Sequence, residues 1–171
     1  MPHVVVTMMS PTQFAQLVDR HVPALILYAR QWCATPEDVV QDAFVKLVAV
    51  REPPREAVAW LYRVVRNAAL DAGKSARRRQ QRESAVARLE HWFVEPEIDG
   101  LDADVAVAAV QRLPADQREV IVAHLWGGLS FEQIAEVAGC SASTAHRHYS
   151  AGLAALRQEL GEICPTRLPN G

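Results

Sequence analysis

The stretch LSFEQIAEVAGCSASTAHRHY, residues 129–149, contains the start and stop signals of two consecutive helices. Ser130 stands where an N-cap belongs, and Gln133 follows three residues later, as a capping box requires. Gly139 falls where the chain must turn with a positive φ, and Ser141 is placed to cap the next helix. This spacing predicts a helix-turn-helix, a motif whose second helix enters the major groove of DNA.

The start of the second helix supplies the residues that would face bases and phosphates. They are Ser143, Thr144, His146, Arg147 and Ser150. Arg147 is the leading base contact, because bidentate arginine is the commonest reader of base edges. His146 and His148 point to different sides of a helix, so we predict no metal site there. The alternative is a helix pair that only packs, with both histidines simply exposed.

The remainder of the chain shows helical periodicity and no sustained strand-like alternation. Helix start signals at Ser10 and Thr35 precede apolar residues spaced by three and four. We expect Pro23 to break or kink the first helix before a second segment that ends near Trp32. A long helix is predicted from Ala57 to about Arg82, a shorter one over 103–113, and another over 114–126 with Val120, Ile121 and Leu125 facing inward. The predicted fold class is all-α.

Charge is segregated along the chain although the net charge is only -2. Residues 51–90 contain ten Lys and Arg against five Asp and Glu, whereas residues 91–119 contain two against seven. Such blocks indicate separate partners for separate parts of the chain, or else a solvated helix face followed by an acidic loop. The segment EPEIDGLDAD has the composition of a linker. We therefore predict two helical domains, 10–90 and 105–161, joined by an acidic linker over 91–104.

Composition excludes several classes of protein. Three cysteines far apart do not form a disulfide framework, which favours a reducing cytoplasm. No apolar run approaches the ~18 residues of a membrane span, so no membrane insertion is expected. The sequence contains no phosphate loop, no His/Glu metal motif and no nucleophile–base pairing, so we predict a protein that is not an enzyme and needs no cofactor or metal.

Two separated blocks resemble the bacterial RNA polymerase sigma factors of the extracytoplasmic-function (ECF) group. PEDVVQDAFVKL (36–47) followed by AWLYRVVRNAALD (59–71) and an arginine cluster is similar to their second conserved region. LPADQREVIVAHLWGGLSFEQIAEVAGCSAST (113–144) is similar to their fourth. Both blocks occur in the family's order, and with the N-terminal helices they cover most of the chain.

The resemblance implies a promoter-specificity subunit that binds core RNA polymerase and recognises the minus-10 and minus-35 elements. The helix over 36–50 would dock on the clamp helices of the polymerase beta-prime subunit through Asp38, Gln41 and Asp42, which otherwise form an ordinary solvated acidic face. The residues near minus-10 DNA would be Arg63, Arg66, Asn67, Lys74, Arg77, Arg78 and Arg79. The loop over 51–56 would lie near an extruded base, and the helix-turn-helix would read minus-35. An anti-sigma factor is a further expected partner.

The chain departs from the family in the second helix of its helix-turn-helix, which has few cations. Leu153 and Leu156 give this helix an apolar end that could serve the polymerase beta flap or a regulator. In the first block, Trp60 is expected in the core, whereas Tyr62 is equally compatible with the core and with base stacking. Two alternative functions remain: a stand-alone helix-turn-helix regulator that does not engage polymerase, and a module that only binds proteins.

Overall fold

The computed structural model describes residues 9–52, 54–83 and 101–163, and within these ranges it contains helices and no strand. The all-α prediction is confirmed. The helices are α1 (Pro11–Ala29), α2 (Pro36–Ala49), α3 (Ala57–Glu83), α4 (Leu101–Arg112), α5 (Ala115–Ile121), a π-helical turn (Val122–Trp126), α6 (Phe131–Ala138) and α7 (Ala142–Ile163).

Helices α1, α2 and α3 pack together as a first lobe. The Ser10 side chain accepts a hydrogen bond from the Gln13 backbone, and the Gln13 side chain accepts one from the Ser10 backbone, so the predicted capping box is present. The predicted break at Pro23 is wrong, because α1 runs through this residue. Pro23 is exposed, and burial of residues around it, including Leu25 and Tyr28, holds the helix together despite the missing backbone donor.

Helix α3 continues past Gly73, where close packing leaves no room for a side chain. A Cβ atom at position 73 would collide with the carbonyl oxygen of Trp32, at the end of the first helical region. The glycine therefore lets α3 approach the turn after α1. On the same helix Tyr62 is fully buried, which decides between its two predicted roles in favour of the core. Trp60 is half-buried and packs against that core, as expected.

Helices α4 to α7 form the second lobe. Helix α4 begins at Leu101, inside the segment predicted as linker, and residues 91–100 of that segment lie outside the described residues. An ion pair between Arg112 and Glu159 joins α4 to α7. Leu156 is buried and Leu153 is half-buried. The apolar end of α7 therefore packs into its own lobe rather than forming a free partner surface.

The π-helical turn changes which residues face inward. The Gly127 backbone N–H donates to the Val122 carbonyl, five residues back, so one extra residue is accommodated in the turn. The extra residue rotates Leu125 outward, so that 50% of its surface is exposed. The prediction that Leu125 faces the core is wrong for this reason, whereas Val120 and Ile121 are buried as predicted.

The two lobes are in contact through a shared core. Helix α6 packs against α3, and the π-helical turn packs against α1. The largest fully buried side chains come from both lobes: Tyr28, Tyr62, Leu25, Leu61, Ile121, Leu129, Ile134, Val40, Val65, Val120 and Val122. Across the described ranges, none of the helices combines the length and apolarity needed to cross a bilayer.

Candidate nucleic-acid interface

The helix-turn-helix has the geometry that its sequence predicts. Ser130 and Gln133 form a capping box at the start of α6, with backbone-to-side-chain distances of 3.2 and 2.9 Å. Gly139 ends α6 with φ 70°, a left-handed conformation that glycine adopts without strain. The Ser141 hydroxyl accepts a hydrogen bond from the Thr144 backbone at 3.1 Å and so caps α7. Local signals therefore determine where α6 ends and where α7 begins.

A cluster of aromatic rings holds the motif against the π-helical turn. His124 stacks on Phe131 with ring centroids 4.6 Å apart and meets Tyr149 edge-on at 4.7 Å. The His124 Nδ1 atom lies 2.7 Å from the Leu129 carbonyl oxygen, which can only accept, so Nδ1 carries the proton. The rings of His146 and Phe131 also meet edge-on, with centroids 5.1 Å apart. These contacts fix the start of α7 relative to the rest of the second lobe.

Most of the predicted recognition residues lie on the solvent side of α7. Ser143, His146, Arg147 and Ser150 are exposed. Thr144 is half-buried, and its hydroxyl accepts a hydrogen bond from Ser141 at 2.9 Å. It is therefore engaged in the turn itself. Arg147 is the only one of the five with a permanent charge.

Helix α3 presents a long basic surface. The exposed members of the predicted set are Arg63, Asn67, Lys74, Arg77, Arg78 and Arg79. Several recur at three and four residues, which places them along one side of the helix. The Lys74 ammonium lies 4.0 Å from the Asp71 carboxylate, and both side chains are well exposed, so this pair contributes little to stability.

Arg66 differs from the rest of that set, because its guanidinium is turned toward the second lobe. Its Nε atom donates to Glu119 Oε1 at 2.6 Å, and Nη2 donates to Oε2 at 3.4 Å. The Tyr28 hydroxyl donates to the same Oε1 at 2.8 Å. The guanidinium also lies over the Trp32 ring, 5.8 Å from its centroid. Hydrogen bonding to Glu119 raises the pKa of Arg66, and burial followed by repulsion from Glu119 raises the pKa of Tyr28.

Helix α2 carries the residues predicted to contact polymerase. Asp38, Gln41 and Asp42 are all exposed. Beside them, Val45 and Val48 are 62% and 65% exposed. These valines border an apolar groove of about 690 Å³ between α1 and α2, which Gln41 also lines. The surface of α2 is thus acidic at its start and apolar toward its end.

Glu119 and Tyr28 were absent from the residues predicted from the sequence. Glu119 stands beside Val120 and Ile121 in a helix whose buried face they form, and a carboxylate next to such a face is a signal that can be read in the sequence. Its partners could not be read there, because Tyr28 is 91 positions away.

Two family matches cover most of both lobes. Residues 17–83 match Sigma-70 region 2, and residues 104–156 match Sigma-70 region 4. The first match spans α1 to α3, and the second spans the helix-turn-helix.

Whole-chain relatives agree with these matches. The RNA polymerase sigma factor CarQ of Myxococcus xanthus is 30% identical over 88% of this chain and 90% of its own length. The ECF RNA polymerase sigma factor SigL of Mycobacterium tuberculosis is 31% identical over the same shares. Among solved structures, the sigma factor RpoE of Bartonella quintana, in complex with the anti-sigma factor NepR, matches with a TM-score of 0.67 and 26% identity, covering 87% of this chain and 97% of that one. With both sigma-70 regions in order and relatives that align along nearly their whole length, the chain belongs to the ECF group of RNA polymerase sigma factors, which direct promoter-specific transcription initiation.

Proposed function

We propose that the two lobes divide promoter recognition between α3 and α7. The basic side of α3 meets the minus-10 element through Arg63, Asn67, Lys74 and the arginines at 77–79, together with Arg66 when it is not paired with Glu119. The start of α7 reads minus-35 through Arg147 and its neighbours. The observation that supports this division is the exposure of both sets of side chains on separate helices of one chain. In this scheme residues 10–90 and 105–161 are the working units, and the acidic segment between them is the tether, of which the last residues, from Leu101, belong to α4.

The second lobe is expected to bind DNA weakly by itself. Each phosphate contact made by a cation adds affinity through counterion release, and Arg147 is the single permanent cation among the five predicted contacts. Polymerase compensates for this, because it holds both lobes near the template and raises the effective concentration of each for its element. His146 and the serines then contribute selectivity more than affinity.

The first lobe cannot melt DNA alone either. Separating a stacked step costs ~1.4 kcal/mol, and a captured base returns ~1 to 3 kcal/mol. One or two captured bases therefore select a sequence but do not open a bubble, and polymerase supplies the rest. A base extruded near the loop over 51–56 would be recognised because only the correct base recovers the cost of unstacking.

Asp38, Gln41 and Asp42 form the proposed contact with the beta-prime clamp helices. Two acidic side chains, exposed and close together on one helix, are suited to a basic partner surface, where they would speed association as well as orient it. Conversion of Asp38 and Asp42 to Asn should slow binding of core polymerase. Glu136→Gln, on the exposed face of α6, is the matched control.

The remaining parts of the proposal concern setting and regulation. The similarity to RpoE, whose solved structure is a complex with an anti-sigma factor, supports an anti-sigma factor as a partner of this chain as well. The protein acts in the cytoplasm, where its polymerase is, and works as a binding subunit rather than an enzyme.

Run-off transcription with core polymerase on a promoter library tests the proposal. We expect sequence-selective initiation that requires both polymerase and this protein, with an enriched minus-35 and minus-10 pair. Sequence-specific duplex binding without polymerase, together with no initiation from any template, would contradict it and favour a stand-alone regulator.

A further inference from the structure

The contact between the lobes is centred on a buried carboxylate. Glu119 has 7% of its surface exposed and is the single buried charged residue in the described part of the chain. A buried carboxylate costs several kcal/mol in lost hydration unless it is paired and hydrogen-bonded. All three hydrogen bonds that the Glu119 carboxylate accepts come from Arg66 and Tyr28 of the first lobe. Burial of this charge is therefore tolerable only while the lobes are together.

The contact with Glu119 uses the guanidinium atoms through which Arg66 would bind DNA. Its Nε and Nη2 atoms face the two carboxylate oxygens, which is the arrangement that the same atoms would use on a phosphate or a guanine edge. The guanidinium also lies over the Trp32 ring, which helps to hold it in this position. Arg66 therefore cannot contact Glu119 and DNA through this fork at the same time.

Two further polar contacts join the lobes. Gln133, at the start of the helix-turn-helix, donates from Nε2 to Glu56 Oε2 at 2.9 Å, and Glu56 lies just before α3. Arg118 donates from Nε to Gln31 Oε1 at 3.3 Å. These polar contacts lie beside the apolar core that the two lobes share, and they can exchange for water when the interface opens.

We propose that Glu119 acts as an internal substitute for DNA. By accepting the hydrogen bonds of Arg66, it holds the free protein closed and keeps Arg66 from binding DNA until the lobes separate. In the open protein, DNA would accept the hydrogen bonds that Arg66 donates to Glu119 in the closed protein, so promoter DNA can compete with Glu119 for the same guanidinium. The closed state itself is independent of the proposed function, whereas the competition with DNA rests on it.

A distance measurement on the isolated full-length chain tests the closed state. Fluorophores at Lys46→Cys on α2 and Arg157→Cys on α7, both exposed sites, would report the separation of the lobes by energy transfer. The native cysteines Cys33, Cys140 and Cys164 would be replaced by Ala or Ser. We expect high transfer in the parent and low transfer after Glu119→Arg or Arg66→Glu. The double charge swap should restore high transfer.

Circular dichroism on each variant separates opening from unfolding. Loss of transfer with the helical signal retained, and recovery in the double swap, would support the proposal. Low transfer in the parent, or unchanged transfer after both single reversals in folded protein, would overturn it.

Binding of a random single-stranded oligonucleotide pool tests the competition. Glu119→Gln retains Arg66 and the size of the side chain but removes the negative charge. If about 10% of the free protein is open, we expect Glu119→Gln to bind the pool up to about ten-fold more tightly. Glu136→Gln removes the same charge from an exposed site and should produce a much smaller change. Equal changes in the two variants would overturn the competition for Arg66, even if the energy-transfer result supports the closed state.

Discussion

Gly127 in the second lobe lies against the hydroxyl end of Tyr62 in the first, so closely that a Cβ atom at position 127 would come within 2.5 Å of Tyr62 Oη. The same Cβ atom would also approach the Ala123 carbonyl oxygen at 2.5 Å. Tyr62 is fully buried, and its hydroxyl has no hydrogen-bond partner within the described residues. Shape rather than hydrogen bonding therefore governs this part of the contact between the lobes.

Gly127→Ala should destabilise the protein by about 1 to 3 kcal/mol, the usual cost of overpacking a rigid site. Urea denaturation, monitored by circular dichroism, measures this change in the free energy of unfolding. Tyr62→Phe alone should be neutral or slightly stabilising, because it removes an unpaired buried hydroxyl. Combined with Gly127→Ala, it should relieve part of the clash and give a coupling energy of at least about 0.5 kcal/mol.

Gly128→Ala is the control for that pair. Gly128 has φ 69°, and nothing lies within 4 Å of a Cβ atom placed there, so alanine would meet backbone strain without a clash. Its cost should be unaffected by Tyr62→Phe. Strong coupling of Tyr62→Phe to Gly128→Ala as well would contradict a specific contact with Gly127.

Alkaline pH should unfold the protein through its buried tyrosines. Burial raises the pKa of Tyr62, and burial together with Glu119 raises the pKa of Tyr28. Because the folded state retains these protons while the unfolded state loses them near pH ~10, stability is fully present below that pH and declines above it. Titration of tyrosinate absorbance should show two tyrosines that ionise only on unfolding. Reversible ionisation of all three tyrosines in folded protein would contradict this.

Arg147→Ala should reduce transcription from promoters that depend on minus-35 by about five-fold or more, since a bidentate contact is worth about 1 to 3 kcal/mol. Arg157→Ala removes the same charge from an exposed position further along α7 and should have a much smaller effect. Run-off transcription with a fixed minus-10 element measures both. Equal losses would indicate a general charge effect and contradict base recognition by Arg147.

Conversion of Arg77, Arg78 and Arg79 together to Gln should weaken binding of polymerase holoenzyme to promoter DNA with little change in sequence preference. Three lost phosphate contacts should reduce the slope of log affinity against log salt concentration by about 2 to 3. Arg20→Gln on α1, which is exposed and outside the predicted contacts, shows the effect of losing a single charge elsewhere on the first lobe. An unchanged slope would place these arginines away from the DNA.

Helix starts and the turn glycine were predictable from the sequence, because each depends on residues within about one turn of each other. The two-lobed all-α organisation followed from helical periodicity and from the change in composition between the lobes. Ser130 with Gln133, and Gly139 with Ser141, determine their local structure in this way. Local rules failed where packing outweighed propensity: α1 runs through Pro23, and one extra residue in the π-helical turn rotates Leu125 into solvent.

The tertiary structure alone decided what the predicted contact residues meet. Arg66 shares its basic helix with Arg63 and Asn67 and is indistinguishable from them in sequence, yet it pairs with Glu119, 53 positions away. Such a pair forms only when the two lobes bring their helices together. The residues within one helical turn of a buried charge do not identify its partner. The sequence determined the family, the helices and the exposed basic residues, whereas the packing of the lobes decided which of those residues is already occupied.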